Sequence, residues 1–285
     1  MPELPEVETV ARGLARVMEG AHFARVQVNR PDLRFPFPEG FAQRLTGQGI
    51  TSIARRAKYI LAHLSEGDIL LMHLGMSGRF LIHDAEGTAR PGRFYHDAGG
   101  DEEAEPHAHV VFTLDDGTRI VYSDPRRFGL MDLFPRGRLT DHRLLRDIGI
   151  EPLGNELSGA FLNRALRTKQ TPLKAALLDQ KIVAGIGNIY ACEALFRARL
   201  SPRRLARTLT SNAGTTERAE RLAGAIRDVL GDAIAAGGST LRDYVRTDGE
   251  LGYFQHAFQV YDREGAPCPR PGCGGTVGRV VQANR

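Results

Sequence analysis

The pattern of apolar residues between positions 23 and 134 constrains the fold of this chain most. Apolar residues come there in short runs, and turn-forming residues separate the runs. The runs are FARVQV, YILAHL, DILLMHL, RFLIH, HVVFTL, RIVYS and GLMDLF. Runs of this length predict strands, and the tripeptide DDG at 115–117 predicts a tight hairpin. The pattern therefore indicates a two-layer β-sandwich.

Helical periodicity flanks this region on both sides. Within residues 5–18, apolar side chains recur at helical spacing, so we expect a first helix directly after the N-terminus. From about residue 140 the periodicity becomes helical again, in the segments 139–149, 156–166, 172–180, 188–200 and 215–236. The chain then ends in a cysteine-containing turn between short apolar stretches, which indicates a small β-hairpin. The predicted fold class is α+β.

Composition sets the broad class of protein. A chain of 285 residues with 42% hydrophobic content can bury two cores. No run approaches the roughly 18 apolar residues of a membrane span, and the acidic N-terminus does not suit a secretory signal. Three cysteines are too few for a disulfide framework, so we expect a cytoplasmic protein. The net charge of +4 is only weak support for a polyanionic partner.

Four stretches, in this order and spacing, resemble formamidopyrimidine-DNA glycosylases. They are PELPEVETV at the start, RRAKYILAHL with HLGMSGR, SDPRRFG, and LLDQKIVAGIGNIYACEALF with GGSTLRDY and GYFQHAFQVYDREG. The resemblance spans almost the whole chain. The PELPEV start also separates this branch from the related endonuclease VIII type, which begins PEGPEI.

The resemblance implies a bifunctional DNA glycosylase and abasic-site lyase of base-excision repair. Its substrates are oxidised purines, namely 8-oxoguanine and formamidopyrimidines, and it works through an N-terminal proline Schiff base with β,δ-elimination. The partner is double-stranded DNA that contains such lesions or abasic sites. We expect a monomer associated with the bacterial nucleoid, without a membrane partner.

The same resemblance divides the chain. Residues 1–137 form a catalytic β-sandwich domain flanked by helices, and residues 138–236 form a helix-two-turn-helix DNA-binding domain. Residues 237–258 form a lesion-capping loop, and residues 259–285 form a partial zinc-finger hairpin. We expect residues 84–106, which are rich in Gly, Pro and acids, to be a mobile insertion between strands.

Pro2 is the candidate nucleophile. Once Met1 is removed, its secondary amine has a useful neutral fraction, because α-amino groups titrate near pH ~8. Attack on C1′ of a nucleotide expels the base and leaves an iminium ion, which acidifies the C2′ proton for strand cleavage. The resemblance assigns the general acid to Glu3 and places Glu6 nearby, although Glu6 equally suits the first turn of a helix.

Further catalytic and phosphate-contacting roles come from the resemblance. Lys58 contacts phosphate and helps proton movement, whereas the pattern alone suits a solvated strand-edge lysine. Arg285 aligns with the finger arginine that grips phosphate. His73 matches a phosphate contact, whereas its pattern alone is typical of a core histidine.

A second group of residues matches DNA contacts of the family. Met76, Arg126 and Phe128 match the trio that fills the gap left by an everted base, with Arg126 pairing the orphaned base. The DPRRFG stretch alone equally suits a turn with exposed arginines. The other matched DNA contacts are Lys174, Asn188 and Tyr253. Asn188 follows a glycine turn whose free N–H groups can hold a phosphate.

The C-terminal cysteines depart from the family's pattern. Zinc in a structural site takes four ligands, and the family's finger supplies two cysteine pairs. This chain supplies Cys268 and Cys273, so one structural zinc is expected with only two of its four ligands present. His107 and His109 are interpreted as a strand edge rather than as a second metal site.

Two alternative functions remain open at this point. One is an endonuclease VIII-like glycosylase for oxidised pyrimidines, which the PELPEV start and the GGSTLRDY loop disfavour. The other is a non-catalytic protein that binds damaged DNA with the same fold.

Overall fold

A computed structural model describes residues 1–85, 107–239 and 252–282. The chain divides into two compact units. Unit 1 comprises Met1–Arg146 with Ala236–Tyr253, and unit 2 comprises Asp147–Ala235 with Phe254–Arg285. The predicted domain limits at 137, 236 and 258 remain predictions beside these units. Most of the predicted insertion and the centre of the predicted capping loop, 240–251, lie outside the described residues.

Unit 1 contains two four-stranded antiparallel sheets. The strands are β1 Phe23–Val28, β2 Ile50–Arg56, β3 Tyr59–Leu64, β4 Asp68–His73, β5 Arg79–His83, β6 Ala108–Leu114, β7 Arg119–Ser123 and β8 Leu130–Pro135. Their orders are β1-β6-β7-β5 and β2-β3-β4-β8. Buried side chains from both sheets, such as Leu70 and Phe112, belong to one core cluster. The predicted sheet-rich N-terminal domain is confirmed.

The helices of unit 1 are α1 Leu4–Met18 and α2 Phe41–Leu45. Val7, Val10 and Leu14 lie on one face of α1 and join the core of the sheets. Pro5 is well suited to the first turn, because proline lacks an N–H and the N–H groups of the first turn have no partner within an α-helix. The helix therefore starts immediately after the extreme N-terminus, as the sequence pattern predicts.

Unit 2 is helical in its main part. Its helices are α3 Gly159–Leu166, α4 Leu173–Leu178, α5 Asn188–Arg197 and α6 Glu217–Ala235. Short 3₁₀ turns lie at Arg136–Arg138 in unit 1 and at Ala206–Leu209 and Phe254–Ala257 in unit 2. Ser158 caps α3, where its side chain accepts a hydrogen bond from the N–H of Phe161. The described part of the tail forms one antiparallel bridge, between Pro267 and Thr276.

The helical periodicity of residues 139–149 gave a wrong prediction, because this segment forms turns. The ring of His142 stacks on Phe134 at 4.0 Å and lies 3.3 Å from the carboxylate of Asp132. These contacts to β8 hold the segment against the sheet and override its local preference. In the described parts of the chain, no helix combines the length and apolar character needed to span a membrane.

Candidate active site and nucleic-acid interface

The N-terminal residues of unit 1 are held by a buried carboxylate. Pro2 is buried, and Glu3 and Glu6 are 4% and 2% exposed. The N–H of Glu3 donates to Oε2 of Glu6 at 2.8 Å. Oε1 of Glu6 accepts from the N–H of Ser239 at 2.8 Å and from its hydroxyl at 3.0 Å. Glu6 therefore fixes the backbone next to Pro2 and joins it to the start of the predicted capping loop.

Lys58 lies at the tip of the β2–β3 hairpin. Arg56 pairs with Tyr59, so Ala57 and Lys58 form a two-residue turn. Ala57 has a φ of 54°, a conformation that costs a residue with a Cβ about 1 kcal/mol or more. Lys58 is only 7% exposed, which is unusual for a lysine at a hairpin tip. A strained turn that buries a lysine favours a functional role over a solvated strand edge.

The hairpin is tied to α1. Nε of Arg55 lies 2.8 Å from the Oε2 atom of Glu8, and a further Arg55 nitrogen donates to the carbonyl of Ala57 at 2.9 Å. The Arg55 side chain is 9% exposed, so this ion pair is largely shielded from water. The helix that begins beside Pro2 and the turn that carries Lys58 are thus braced against each other.

His73 is a neutral histidine at pH 7. Burial, followed by the positive charges of Lys58 and Arg34, lowers its pKa to about 4, and the charge of Asp124 opposes this shift. Nδ1 of His73 accepts the N–H of Gly75 at 3.0 Å, which leaves the proton on Nε2. The imidazole can therefore donate one hydrogen bond to an acceptor such as a phosphate oxygen.

The register of the second sheet brings the motifs together. Tyr59, His73 and Leu130 occupy one row across β3, β4 and β8. Lys58 directly precedes this row, and the loop 74–78 directly follows it. The loop 124–129 directly precedes Leu130, the third member of the row. Residues that are far apart in sequence consequently emerge at one edge of the sheet.

Met76, Arg126 and Phe128 lie on these two loops. Met76 is half-buried, and Phe128 is 46% exposed. The guanidinium of Arg126 lies 5.0 Å from the ring centre of Phe128. A large aromatic ring and an arginine held together at the surface suit insertion into another molecule better than a plain exposed turn.

Sequence reasoning did not single out the buried groups beneath these loops. Asp124 is fully buried and accepts the hydroxyl of Ser77 at 2.6 Å and the N–H of Gly129 at 2.8 Å. Ser77 stands inside the motif HLGMSGR and Asp124 inside SDPRRFG, so the motifs themselves pointed to both residues. Their pairing was not, because 47 positions separate them.

Tyr253 lies at the base of the predicted capping loop and is 58% exposed. Its N–H donates to the carbonyl of Ala236 at 3.1 Å, and it bridges to Ser239. A Cβ at Gly252 would lie 2.3 Å from the carbonyl oxygen of Gly238, so the two ends of the loop are in backbone contact. The side chain of Tyr253 is thereby placed at the surface of unit 1.

In unit 2, Lys174 and Asn188 line one cavity of about 440 Å³. Lys174 is 5% exposed, and the Oδ1 atom of Asn188 is buried without a hydrogen-bond partner. Asn188 opens α5 after a turn in which Gly185 has a φ of 79°. The start of α5 therefore brings a polar side chain and the positive end of the helix dipole to this cavity.

Gln180 shapes that turn. Its Oε1 atom accepts the N–H of Gly185 at 2.9 Å, and its Nε2 atom donates to the carbonyls of Leu178 and Ile186. One amide side chain thereby closes the segment between α4 and α5. Gln180 of the LLDQKIVA stretch thus has a structural role in the glycine turn.

Glu193 of α5 is a further residue that sequence reasoning missed. It is 1% exposed, and its carboxylate accepts three backbone N–H groups, from Gln259, Val260 and Tyr261. The donor–acceptor distances are 3.0, 3.0 and 2.8 Å. The chain that leads to the tail hairpin is therefore anchored on the helix that carries Asn188.

The two tail cysteines suit half of a zinc site. The backbone of Gly275 and then the thiol of Cys268 lower the pKa of Cys273, which favours the thiolate that zinc prefers. Among residues 1–85, 107–239 and 252–282, no group of three or more His, Cys, Asp or Glu side chains could hold a metal. The described residues therefore do not complete a four-ligand site. Arg285 lies outside the described residues.

Two family models match this chain. The model of the formamidopyrimidine-DNA glycosylase N-terminal domain matches residues 1–131, and that of the H2TH domain of the same glycosylases matches residues 148–245. This chain is also similar, along its full length, to individual formamidopyrimidine-DNA glycosylases. The protein of Rhodopseudomonas palustris strain HaA2 is 59% identical and that of Beijerinckia indica 60%, and the matches cover 100% of this chain and 97% and 96% of theirs.

Solved structures give the same result. The crystal structure of MutM (Fpg) from Thermus thermophilus has a TM-score of 0.82 and 40% identity, and the match covers 100% of this chain and 95% of that one. Wild-type Lactococcus lactis Fpg, in a complex with DNA that contains N7-benzyl-Fapy-dG, has a TM-score of 0.82 and 29% identity, with 100% and 96% covered.

The fold and the site thus define a DNA glycosylase with abasic-site lyase activity, an enzyme of base-excision repair. The chain belongs to the formamidopyrimidine-DNA glycosylase family.

Proposed function

We propose that this enzyme removes oxidised purines, such as 8-oxoguanine and formamidopyrimidines, from double-stranded DNA and then cleaves the strand with Pro2 as its nucleophile. The observation that carries the proposal is the position of Pro2, which stands directly before Glu3 on a backbone fixed by the buried carboxylate of Glu6. The complex of Lactococcus lactis Fpg with N7-benzyl-Fapy-dG DNA supports this substrate class.

The first chemical step joins Pro2 to the deoxyribose. The neutral amine of Pro2 attacks C1′, the glycosidic bond breaks, and the base leaves with its electron pair and takes up a proton. Glu3 protonates the ring oxygen of the sugar, which opens the ring and yields an iminium ion. Because Glu3 is only 4% exposed, its proton is delivered in a site that contains little water.

The following steps cleave the strand. The iminium group withdraws electrons and allows a base to remove a C2′ proton, so that the 3′ phosphate leaves by β-elimination. A second elimination releases the 5′ phosphate, and water then frees Pro2. We assign to Lys58 the contact with phosphate and the transfer of protons in these steps, and to Arg285 a contact with phosphate. In the proposal, His73 donates one hydrogen bond from Nε2–H to a phosphate oxygen of the DNA.

Base eversion leaves a gap in the duplex. In the proposal, Met76 and Phe128 fill this gap, and Arg126 pairs with the base that has lost its partner. The cation–π contact between Arg126 and Phe128 holds two of these three groups together before DNA arrives. Tyr253, at the base of the predicted capping loop, contacts a backbone phosphate.

Unit 2 supplies further phosphate contacts. Asn188 at the start of α5 lies where it can bind a phosphate near the positive end of the helix dipole, and Lys174 adds a positive charge to the same cavity. Cys268 and Cys273 would provide two ligands of the family's zinc ion, which would stabilise the tail without taking part in the chemistry. We place the enzyme in the cytoplasm at the nucleoid, because its substrate is chromosomal DNA.

Borohydride trapping tests the nucleophile. The mature protein, with Met1 removed and its mass verified, is incubated with a duplex that contains 8-oxoguanine opposite cytosine in the presence of borohydride. We expect a stable protein–DNA adduct that Pro2→Gly or retention of Met1 sharply reduces. Pro36→Gly, at an exposed proline in unit 1, is the matched control and should trap normally. Equal trapping by the protein that retains Met1 would refute Pro2 as the nucleophile.

The substrate class needs a separate comparison. Duplexes that contain 8-oxoguanine or thymine glycol are cleaved in parallel under single-turnover conditions. Faster cleavage of the thymine glycol duplex would favour the oxidised-pyrimidine alternative. Tight lesion binding without any nicked product would favour a protein that only binds damage.

A further inference from the structure

A single buried carboxylate joins the two loops that carry Met76, Arg126 and Phe128, which we call the wedge loops (residues 74–78 and 124–129). Oδ1 of Asp124 accepts the hydroxyl of Ser77 at 2.6 Å, and Oδ2 accepts the N–H of Gly129 at 2.8 Å. The oxygen of Ser77 in turn accepts the N–H of Arg126 at 3.1 Å. Asp124 thus closes its own loop and, through Ser77, holds the neighbouring one.

The two wedge loops also touch without any side chain between them. Gly75 has a φ of 64°, and a Cβ there would lie 2.3 Å from the backbone nitrogen of Gly129 and the carbonyl carbon of Phe128. A Cβ at Gly129 would lie 1.8 Å from the hydroxyl oxygen of Tyr122. The two loops therefore pack directly against each other, and the hydrogen bonds through Ser77 and Asp124 keep them in this contact.

The main-chain carbonyl of Asp124 also supports a strained backbone. Arg127 has a φ of 56°, and its N–H donates to the carbonyl of Asp124 at 3.1 Å. Nε2 of His109 lies 2.8 Å from the same carbonyl oxygen. Such a conformation persists only where its surroundings enforce it. Arg126 and Phe128, on either side of Arg127, therefore owe their directions to contacts of Asp124.

We propose that Asp124 is a positioning residue for base eversion, which acts through Ser77 by locking the two wedge loops into one rigid insert. This inference rests on the proposed function, because it assumes that the wedge enters the duplex. Pushing into a base stack costs a few kcal/mol. A loop that yields under this load would slow eversion, but it would not alter chemistry at a sugar that has already lost its base.

The test compares two duplexes with the full chain. One contains 8-oxoguanine opposite cytosine, and the other contains an abasic site opposite cytosine, where no base must be evicted. Ser77→Ala removes the link between the loops and leaves the bond from Gly129 to Asp124 intact. Asp124→Asn retains the shape but places an NH₂ group where an oxygen accepted. Both variants are checked for folding by thermal denaturation. If Asp124→Asn does not fold, the comparison of the two duplexes is made with Ser77→Ala alone.

Ser65→Ala is the matched control. The hydroxyl oxygen of Ser65 also accepts a backbone N–H, from Gly49 at 3.0 Å, but it lies in the turn at the opposite end of β4. The same atom is therefore removed from the same unit, away from the wedge loops.

We expect Ser77→Ala and Asp124→Asn to lower the single-turnover excision rate on 8-oxoguanine by about tenfold. Cleavage at the abasic site should match the Ser65→Ala control. The fluorescence rise of 2-aminopurine placed beside the lesion, which reports unstacking, should slow in parallel with excision. Equal losses on both duplexes, or no loss on either, would overturn the proposal. A parent enzyme that does not excise 8-oxoguanine would instead refute the proposed function.

Discussion

Glu193 offers a test of how unit 2 is held together. Its carboxylate is almost completely buried and is the acceptor for three consecutive backbone N–H groups, those of Gln259, Val260 and Tyr261. A hydrogen bond to a charged group contributes about 1.5–3 kcal/mol, and each buried donor that loses its acceptor costs about 1–3 kcal/mol, so loss of an acceptor for three donors costs about 3 kcal/mol or more. Residues 259–261 are only half-buried, so water can reach their N–H groups in a variant. We therefore take the low end, about 3 kcal/mol, for Glu193→Ala.

The expected effect is local, and hydrogen exchange measures it. A loss of about 3 kcal/mol in the free energy of opening should accelerate exchange of the amides at 259–261 roughly a hundredfold. Glu193→Gln keeps the Oε1 position as an oxygen, which accepts two of the three bonds, and should accelerate exchange by only about tenfold. Amides in the centre of α6 should be unaffected.

Glu217→Ala is the control, because Glu217 is 90% exposed in its side chain and forms only a surface ion pair with Arg221. Its effect should stay within about 0.5 kcal/mol. If Glu193→Ala exchanges at 259–261 no faster than Glu217→Ala, then the three hydrogen bonds do not anchor this segment and the reasoning fails.

Three other perturbations have expected outcomes that can be measured. The folded protein keeps the pKa of His73 at about 4, whereas unfolded histidine titrates near about 6.5, so the unfolded chain binds more protons between these pH values. The free energy of unfolding should therefore fall as the pH drops from about 6.5 towards 4, by at most about 2 kcal/mol between pH 7 and 5. Urea titrations of His73→Gln should lack this pH-dependent loss of stability. In Glu6→Gln the amide side chain can accept hydrogen bonds through only one oxygen, so the backbone beside Pro2 is held less firmly. Iminium trapping on abasic-site DNA should therefore slow by about tenfold relative to Glu19→Gln, a control at an exposed glutamate. An unchanged trapping rate would exclude a positioning role for Glu6. Elemental analysis of the 285-residue chain, with its intact mass verified, should find well under one zinc per molecule after dialysis against a weak chelator. Stoichiometric zinc would show instead that donors beyond Cys268 and Cys273 complete the site.

Local sequence patterns were sufficient for most of the strands. Runs such as FARVQV and RIVYS coincide with β1 and β7 because buried strand residues leave short apolar runs in the sequence, as in β7, where the last four residues are buried. β2 was missed for the opposite reason. It lies at the edge of its sheet, and after Ile50 none of its residues is fully buried, so ITSIARR has no apolar run. Residues 139–149 misled because a tertiary contact of His142 overrode a helical pattern.

The candidate site divides in a similar way. Pro2, Lys58 and Arg126 could be selected from motifs because their chemistry is carried by single residues. The groups that hold them could not be paired from the sequence, since Glu6 meets Ser239 and Ser77 meets Asp124 only after folding. Buried hydrogen bonds of this kind depend on strand register and loop shape, which a local pattern does not encode.

Strand register is what turns separate motifs into one site. Ile60 and Met72 are paired across β3 and β4, and Met72 is paired with Met131 of β8, so three buried side chains set the alignment of the three strands. A shift of one residue would move these side chains to the opposite face of the sheet, where Leu61 and Leu71 now lie, and would remove them from the core cluster between the two sheets. The neighbouring row of Tyr59, His73 and Leu130 lies at the same edge and is fixed by the same pairing. The apolar core therefore does more than stabilise unit 1, because the residues that prevent strand slippage also set where Lys58 and the wedge loops emerge.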